Sequence, residues 1–219
     1  MKHVKFLLLF LAVVLAAPAA SIFSENFDGA TPGYDGALGI IAGTQFSVTS
    51  GSIDVNGPGN GSTIAAYYPV LCVAPTSGNC IDTTGGLAGR GTISTTNQIL
   101  FSATGEYILS FDLAGWNYGV YTNATATVQV DLGNLIVANT FTRDGGGNPY
   151  LAVEIPFLVT VPNTSATLTF KDLSGNYSFA GAILDNISID DPAPVPEPAS
   201  ILLFGAGALL ILAKKRARQ

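Results

Sequence analysis

The pattern that most restricts this chain is a series of short alternating segments, each closed by Gly, Asn, Asp or Pro, with no helical periodicity between them. In Tyr107-Ile108-Leu109-Ser110-Phe111-Asp112-Leu113, every second residue is a large apolar one, which places Tyr107, Leu109, Phe111 and Leu113 on one face of a strand. Ala126 to Leu132 repeats the pattern through Val128 and Val130. Further segments read as strands are Ile22 to Phe27, Phe46 to Thr49, Ser52 to Val55, Ile99 to Ser102, Leu135 to Phe141, Leu151 to Val161, Ala166 to Phe170 and Ala182 to Ile189. Ser50-Gly51, Asn56-Gly57-Pro58-Gly59, Thr104-Gly105, Asp144-Gly145-Gly146-Gly147 and Pro162-Asn163 supply turns. About ten short strands without intervening helices predict an all-β fold, an antiparallel two-sheet sandwich of the jelly-roll type.

The two ends carry a different signature. Met1 to Ala19 has a basic start at Lys2 and Lys5, an apolar stretch from Phe6 to Ala17, and Ala17-Pro18-Ala19 as an A-x-A site, so residues 1–19 read as a cleaved signal peptide. A retained anchor is the alternative, and its apolar core is short for a span. At the other end, Val195-Pro196-Glu197-Pro198 leads into the uncharged run from Ala199 to Ala213 and then into Lys214, Lys215, Arg216 and Arg218. At about 1.5 Å per residue that run makes a helix of roughly 22 Å, short against a hydrocarbon core of roughly 30 Å, and its flanking cations extend its reach by snorkelling. We read 199–213 as a transmembrane helix with a cytoplasmic basic tail at 214–219 by the positive-inside bias. An ordinary buried helix is the alternative; the terminal position, the proline-rich lead and the basic stop argue against it.

This tail resembles the PEP-CTERM sorting signal of Gram-negative bacteria. The resemblance implies processing by an exosortase, passage through the inner membrane, residence at the cell surface or in the extracellular matrix, and association with exopolysaccharide. The sorting residues it implies are Val195, Pro196, Glu197 and Pro198.

Between the signals lies one domain, read as 21–189, joined to the tail by a linker at 190–198 whose alternating prolines favour an extended spacer. From Ser21 to Asp191 only Arg90, Arg143 and Lys171 face fourteen acidic residues, a net charge of −11. Such a surface repels nucleic acid and anionic lipid.

Phe23-Ser24-Glu25-Asn26-Phe27, the segment Gly105 to Gly115, and Leu184-Asp185-Asn186-Ile187-Ser188-Ile189 resemble phrases of galactose-binding-like jelly rolls in secreted bacterial proteins. In such folds the first and last strands lie close together, and an acid from each helps to hold a structural Ca²⁺. The resemblance carries that role to Glu25 and Asp185, and less directly to Asp28. Calcium takes six to eight oxygens, and no compact calcium-loop spacing is present, so solvated or turn-forming carboxylates are the alternative.

Cys72 and Cys80 are the only cysteines. In an exported chain they read as a disulfide; the spacing is not that of a redox CxxC pair, and no histidine is near. The sole histidine, His3, lies in the signal peptide, so the mature body has no imidazole for a Ser-His-Asp relay, a Cys-His pair or a His-ligated zinc site. Only a carboxylate-based glycosidase survives as an enzymatic reading, with two acids flanking one sugar. Trp116 follows Ala114-Gly115, with Asn117, Tyr118 and Tyr121 behind it and Tyr67, Tyr68 and Tyr150 in other loops. Trp116 and Tyr118 are candidate sugar-stacking residues; the other reading puts Trp116 in the core. We therefore expect a non-enzymatic, envelope-anchored surface or matrix protein with no required cofactor, the alternatives being a lectin-like carbohydrate-binding module and a glycosidase.

Overall fold

The longest alternating segment forms the longest strand. β11 (Gly105–Ala114) runs between β14 (Leu151–Val159) and β17 (Ile183–Asp190), and its Tyr107, Leu109, Phe111 and Leu113 are all buried, as their period predicts. The computed structural model describes residues 20–32, 34–36, 38–57, 72, 78–85, 89–115, 125–144, 150–175 and 181–191. All fall in one unit, Ala20–Pro192. No helix occurs among them.

The first sheet has the order β14-β11-β17-β6-β5-β2, where β6 is Cys80–Asp82, β5 is Ile53–Asn56 and β2 is Tyr34–Gly36. β1 (Ser21–Glu25) also pairs with β17, along its C-terminal half. The second sheet is β13 (Ile136–Arg143), β12 (Ala126–Leu132), β16 (Leu168–Asp172), β9 (Thr92–Thr95), β4 (Phe46–Ser50) and β3 (Gly39–Ile40). Two small ribbons complete the set, β10 (Ile99–Phe101) with β15 (Thr164–Ala166) and β7 (Thr84–Gly85) with β8 (Gly89–Arg90). All of these pairings are antiparallel, and from β11 onward the chain passes back and forth between the two main sheets.

Aromatic rings join the sheets. Phe111 of the first sheet meets Phe170 of the second edge to face at 5.1 Å and Phe141 at 5.7 Å, while Phe23 meets Phe46 at 5.9 Å. Each fully buried Phe contributes roughly 1.5–3 kcal/mol of transfer free energy, and such ring pairs add about 1 kcal/mol. The outer strands are protected from further pairing by their chemistry. β14 carries Pro156, which donates no hydrogen bond, and β13 shows exposed Asn139, Thr140 and Thr142 to solvent.

Two expected strands are redrawn. Ala166 to Phe170 is not one strand, because β15 ends at Ala166 and pairs with β10, whereas β16 pairs with β12 and β9. The segment expected to reach Val161 stops at Val159 and turns through Asn163, which takes φ 58°. β6 and β9 were not expected from alternation, since Cys80-Ile81-Asp82 and Ile93-Ser94-Thr95 are buried at every position.

The register gives the sandwich two distinct ends. At one, Ser21 lies opposite Asp190, so β1 enters and β17 leaves together; we term this the exit end. At the other lie Ala114, Leu151, Ile183 and Asp82, matched across neighbouring strands. Asp172, at the end of β16, joins this distal end through hydrogen bonds to Thr83 and Thr84. The strand termini that flank positions 116–124, 145–149 and 176–180 all lie here.

Candidate functional site

Glu25 ends β1 opposite Ile187, two positions along β17 from Asp185. The Glu25 carboxylate is buried and accepts two backbone N–H bonds, from Phe27 at 2.8 Å and from Gln45 at 2.7 Å. Phe27 needs that clasp: it holds a left-handed φ of 58°, costly for a side chain of this size, while its ring packs against Phe46 at 5.8 Å. Asp185 is also buried, and its Oδ1 accepts the N–H of Asn186 at 2.7 Å. There β17 bulges, with Asn186 at φ 47° donating from its side chain to Asp112 at 2.9 Å. Asp28 accepts the N–H of Asn79 at 2.8 Å and the side-chain amide of Asn26 at 2.8 Å.

Glu25 and Asp185 are thus brought onto adjacent strands, and each is held by backbone amides. As calcium donors they fit in part. Two carboxylates leave most of six to eight oxygens to carbonyls and water, and no cluster of three or more acidic, His or Cys side chains suited to a metal occurs among the described residues. Beside them lies a shallow polar pocket of about 660 Å³, whose lining includes Ser24, Asn26, Thr44, Gln45 and Asn186.

Cys72 and Cys80 form a disulfide, with Cα atoms 5.7 Å apart. It belongs to a small apolar cluster with Ala114, Tyr150 and Ile183, separate from the main core and at the distal end. Tyr150 is therefore packed against the bridge rather than presented for stacking. Trp116 and Tyr118 lie outside the described residues, as do His3, the signal peptide expected at 1–19 and the tail. No helix among the described residues is long and apolar enough to cross a membrane, and the span expected at 199–213 lies beyond them.

Sequence reasoning missed the other acidic grouping of the distal end. Asp82 and Asp172 are buried, at 0% and 2% exposure, together with Thr83 and Thr84. Asp172 Oδ2 accepts the hydroxyls of Thr83 at 3.1 Å and Thr84 at 2.5 Å, and its Oδ1 accepts the N–H of Ser174 at 2.6 Å. Asp82 Oδ1 accepts the N–H of Thr84 at 2.9 Å, whereas its Oδ2 has no partner. Burial holds the Asp82 carboxyl well above its ordinary range, against the amide donors of Thr84 and Gly181, and the Asp54 and Asp172 carboxylates push it the same way. The only signal in the sequence was Asp82-Thr83-Thr84 followed by Gly85-Gly86, which reads equally well as an exposed turn. As an acid pair for glycoside hydrolysis this arrangement is shut away from any sugar.

The tail is settled by comparison. Residues 194–217 match the PEP-CTERM protein-sorting motif. The chain carries a PEP-CTERM sorting signal. No curated protein matches the chain. Among solved structures, the chain is similar to a carbohydrate-binding module of Cellvibrio mixtus lichenase 5A in complex with cellotriose, at 11% identity and TM-score 0.42, covering 78% of this chain and 98% of that one. The xylan-binding CBM22-1 domain of Paenibacillus barcinonensis Xyn10C matches at 14% identity and TM-score 0.41, covering 78% and 94%. The C-terminal CBM6 of LamC, a laminarinase of Zobellia galactanivorans, matches at 16% identity and TM-score 0.36, covering 52% and 82%. Likenesses this distant assign neither a ligand nor a residue role to this chain.

Proposed function

We propose that this is an exported, non-enzymatic β-sandwich protein that an exosortase processes at the envelope of a Gram-negative bacterium and that serves at the cell surface or in the extracellular matrix. The observation that carries the reading is the sorting motif at 194–217, which follows directly on a folded body. The body's last strand, β17, ends at Asp190, shortly before that motif. The test replaces Pro196, Glu197 and Pro198 by alanine in the producing cell and follows the protein by fractionation. Retention of the unprocessed chain in the inner membrane is the expected result; unchanged delivery to the surface or matrix would sink the reading.

A second reading has a specific observation behind it. β11 ends at Ala114 on the distal end, and Trp116 and Tyr118 follow in sequence, aromatic residues of the kind that stack on a sugar ring. A glycan array on the full chain in detergent, with Trp116→Ala and Tyr118→Ala beside wild type, tests this. Binding lost in a variant of unchanged melting temperature supports a carbohydrate-binding module; no binding by wild type removes it. A structural calcium at Glu25 and Asp185 belongs to the same proposal, and a calcium-induced rise in melting temperature that Asp185→Asn abolishes is its signature.

A further inference from the structure

A buried carboxylate needs a partner, because moving an ion out of water costs several kcal/mol that only pairing, metal coordination or protonation offsets. At the distal end no described residue supplies a cation to Asp82. The charges acting on Asp82 among the described residues are two further carboxylates, Asp54 and Asp172. Asp54 lies directly opposite Asp82 in the pairing of β5 with β6. Of the three basic residues of the body, Arg90 is turned to the carbonyl of Gly175, Lys171 is exposed on β16, and Arg143 is half-buried at the end of β13.

Protonation alone does not resolve the site. A neutral Asp82 has an O–H to donate and an ionised one has lone pairs to fill, yet Oδ2 contacts neither donor nor acceptor. Around Gly181 the oxygens are drawn together unusually closely. A Cβ built there would lie 2.6 Å from Asp82 Oδ1, 2.6 Å from Asp172 Oδ2 and against Thr84 Oγ1, so only glycine fits, and three oxygens from two chain segments crowd the same residue. Two buried carboxylates and a hydroxyl brought this close, with Asp82 Oδ2 still unpartnered, are the beginnings of a hard-cation shell, with carbonyls and water to complete it.

We propose that Asp82 and Asp172, with the Thr84 hydroxyl, hold a calcium ion beneath the distal end, at a site separate from Glu25 and Asp185. The ion bridges the first sheet through Asp82 to the second through Asp172, and lies against Gly181, just ahead of β17. It would thereby set the geometry of the strand termini that flank positions 116–124, 145–149 and 176–180.

The experiment uses the full chain purified in detergent, stripped with EDTA and titrated with CaCl₂, read by melting temperature and by equilibrium dialysis with radioactive calcium. Wild type and Asp185→Asn should both show a saturable rise of roughly 5 °C or more at hundredfold excess over Kd, and each should retain one equivalent at this site. Asp82→Asn and Asp172→Asn should lose that rise and that equivalent. Should either variant fail to fold, Thr84→Val removes one neutral oxygen and should weaken binding by about tenfold. No calcium bound by wild type, binding abolished by Asp185→Asn alone, or binding unchanged in Asp82→Asn or in Thr84→Val would each overturn the proposal.

Discussion

Ser21 and Asp190 lie opposite one another, and the N–H of Asp191 donates to the carbonyl of Ala20 at 2.8 Å, so the first and last residues of the sandwich are hydrogen-bonded neighbours. The chain therefore enters and leaves its folded body at one point. Tyr107 secures the same end: its hydroxyl donates to the Ala103 carbonyl at 3.0 Å, and its ring packs on Phe101 at 5.1 Å and Phe157 at 5.8 Å.

From this comes the first prediction. Burial and the nearby Asp191 carboxylate raise the Tyr107 phenol above its ordinary range, the neutral form being favoured in the fold. A folded value above the unfolded one means that this contribution is complete below the unfolded value of about 10 and declines as pH rises through the folded value. Tyr107→Phe should cost about 1 kcal/mol at neutral pH and flatten the alkaline loss of stability relative to wild type. Urea unfolding between neutral and strongly alkaline pH measures both; an identical alkaline slope in the two proteins contradicts the assignment.

The core supplies the second. Phe170 touches Phe111 across the sheets and Phe46 along its own, at 5.1 and 6.2 Å, and is fully buried. Phe170→Ala should cost about 3–5 kcal/mol in urea unfolding, and Phe170→Leu clearly less. Phe141, only partly buried at the edge strand, touches the same Phe111 ring, and its Ala variant should fall well short of Phe170→Ala.

Much of this core was legible in advance, and the reason is geometric. Where one face of a strand meets the core and the other meets water, apolar residues alternate, and β11, β12 and β14 were read from that alternation. Where both faces are covered the signal vanishes, as in Cys80-Ile81-Asp82, and the acids that such a strand buries look like turn residues. Glu25 and Asp185 were picked out through resemblance, and they do come to adjacent strands. The clasp of Glu25 on Phe27 and Gln45 was not readable, since backbone donors leave no trace in side-chain identity.

That clasp gives the third prediction. Glu25→Gln keeps the shape but turns an amide donor toward an N–H, leaving one buried amide without its acceptor. A loss of about 1–3 kcal/mol is expected. Phe27→Gly, which relieves the positive φ but removes a buried ring, should not compensate, because the transfer term of the ring outweighs the backbone strain. Double-mutant analysis of Glu25→Gln with Phe27→Gly should show coupling, and strict additivity would argue against the clasp.

The disulfide provides the fourth. Cys72 and Cys80 cover Tyr150, Ile183 and Ala114 at the distal end, away from the main core. Replacing both cysteines by alanine should cost about 2–3 kcal/mol through the loop they close and should leave the unfolding cooperative, with the larger share of the change in the denatured chain. Reduction of wild type should reproduce the shift in midpoint; a native protein insensitive to both treatments contradicts it.

Asp82 yields the last. In EDTA its folded carboxyl titrates well above the ordinary range because it is buried and flanked by Asp54 and Asp172. With the folded value above the unfolded one, its contribution is fully present in acid, below the unfolded value, and is lost as pH rises through the folded value. Relative to Asp82→Asn, metal-free wild type should therefore lose stability between mildly acidic and neutral pH, where the variant has nothing to ionise. Gly181→Ala, which forces a methyl against Asp82, Asp172 and Thr84, should destabilise at every pH in that window. Paired urea midpoints for wild type and Asp82→Asn at pH 5 and pH 7 decide the matter: a difference that stays constant across the two conditions would show that Asp82 does not change its charge there.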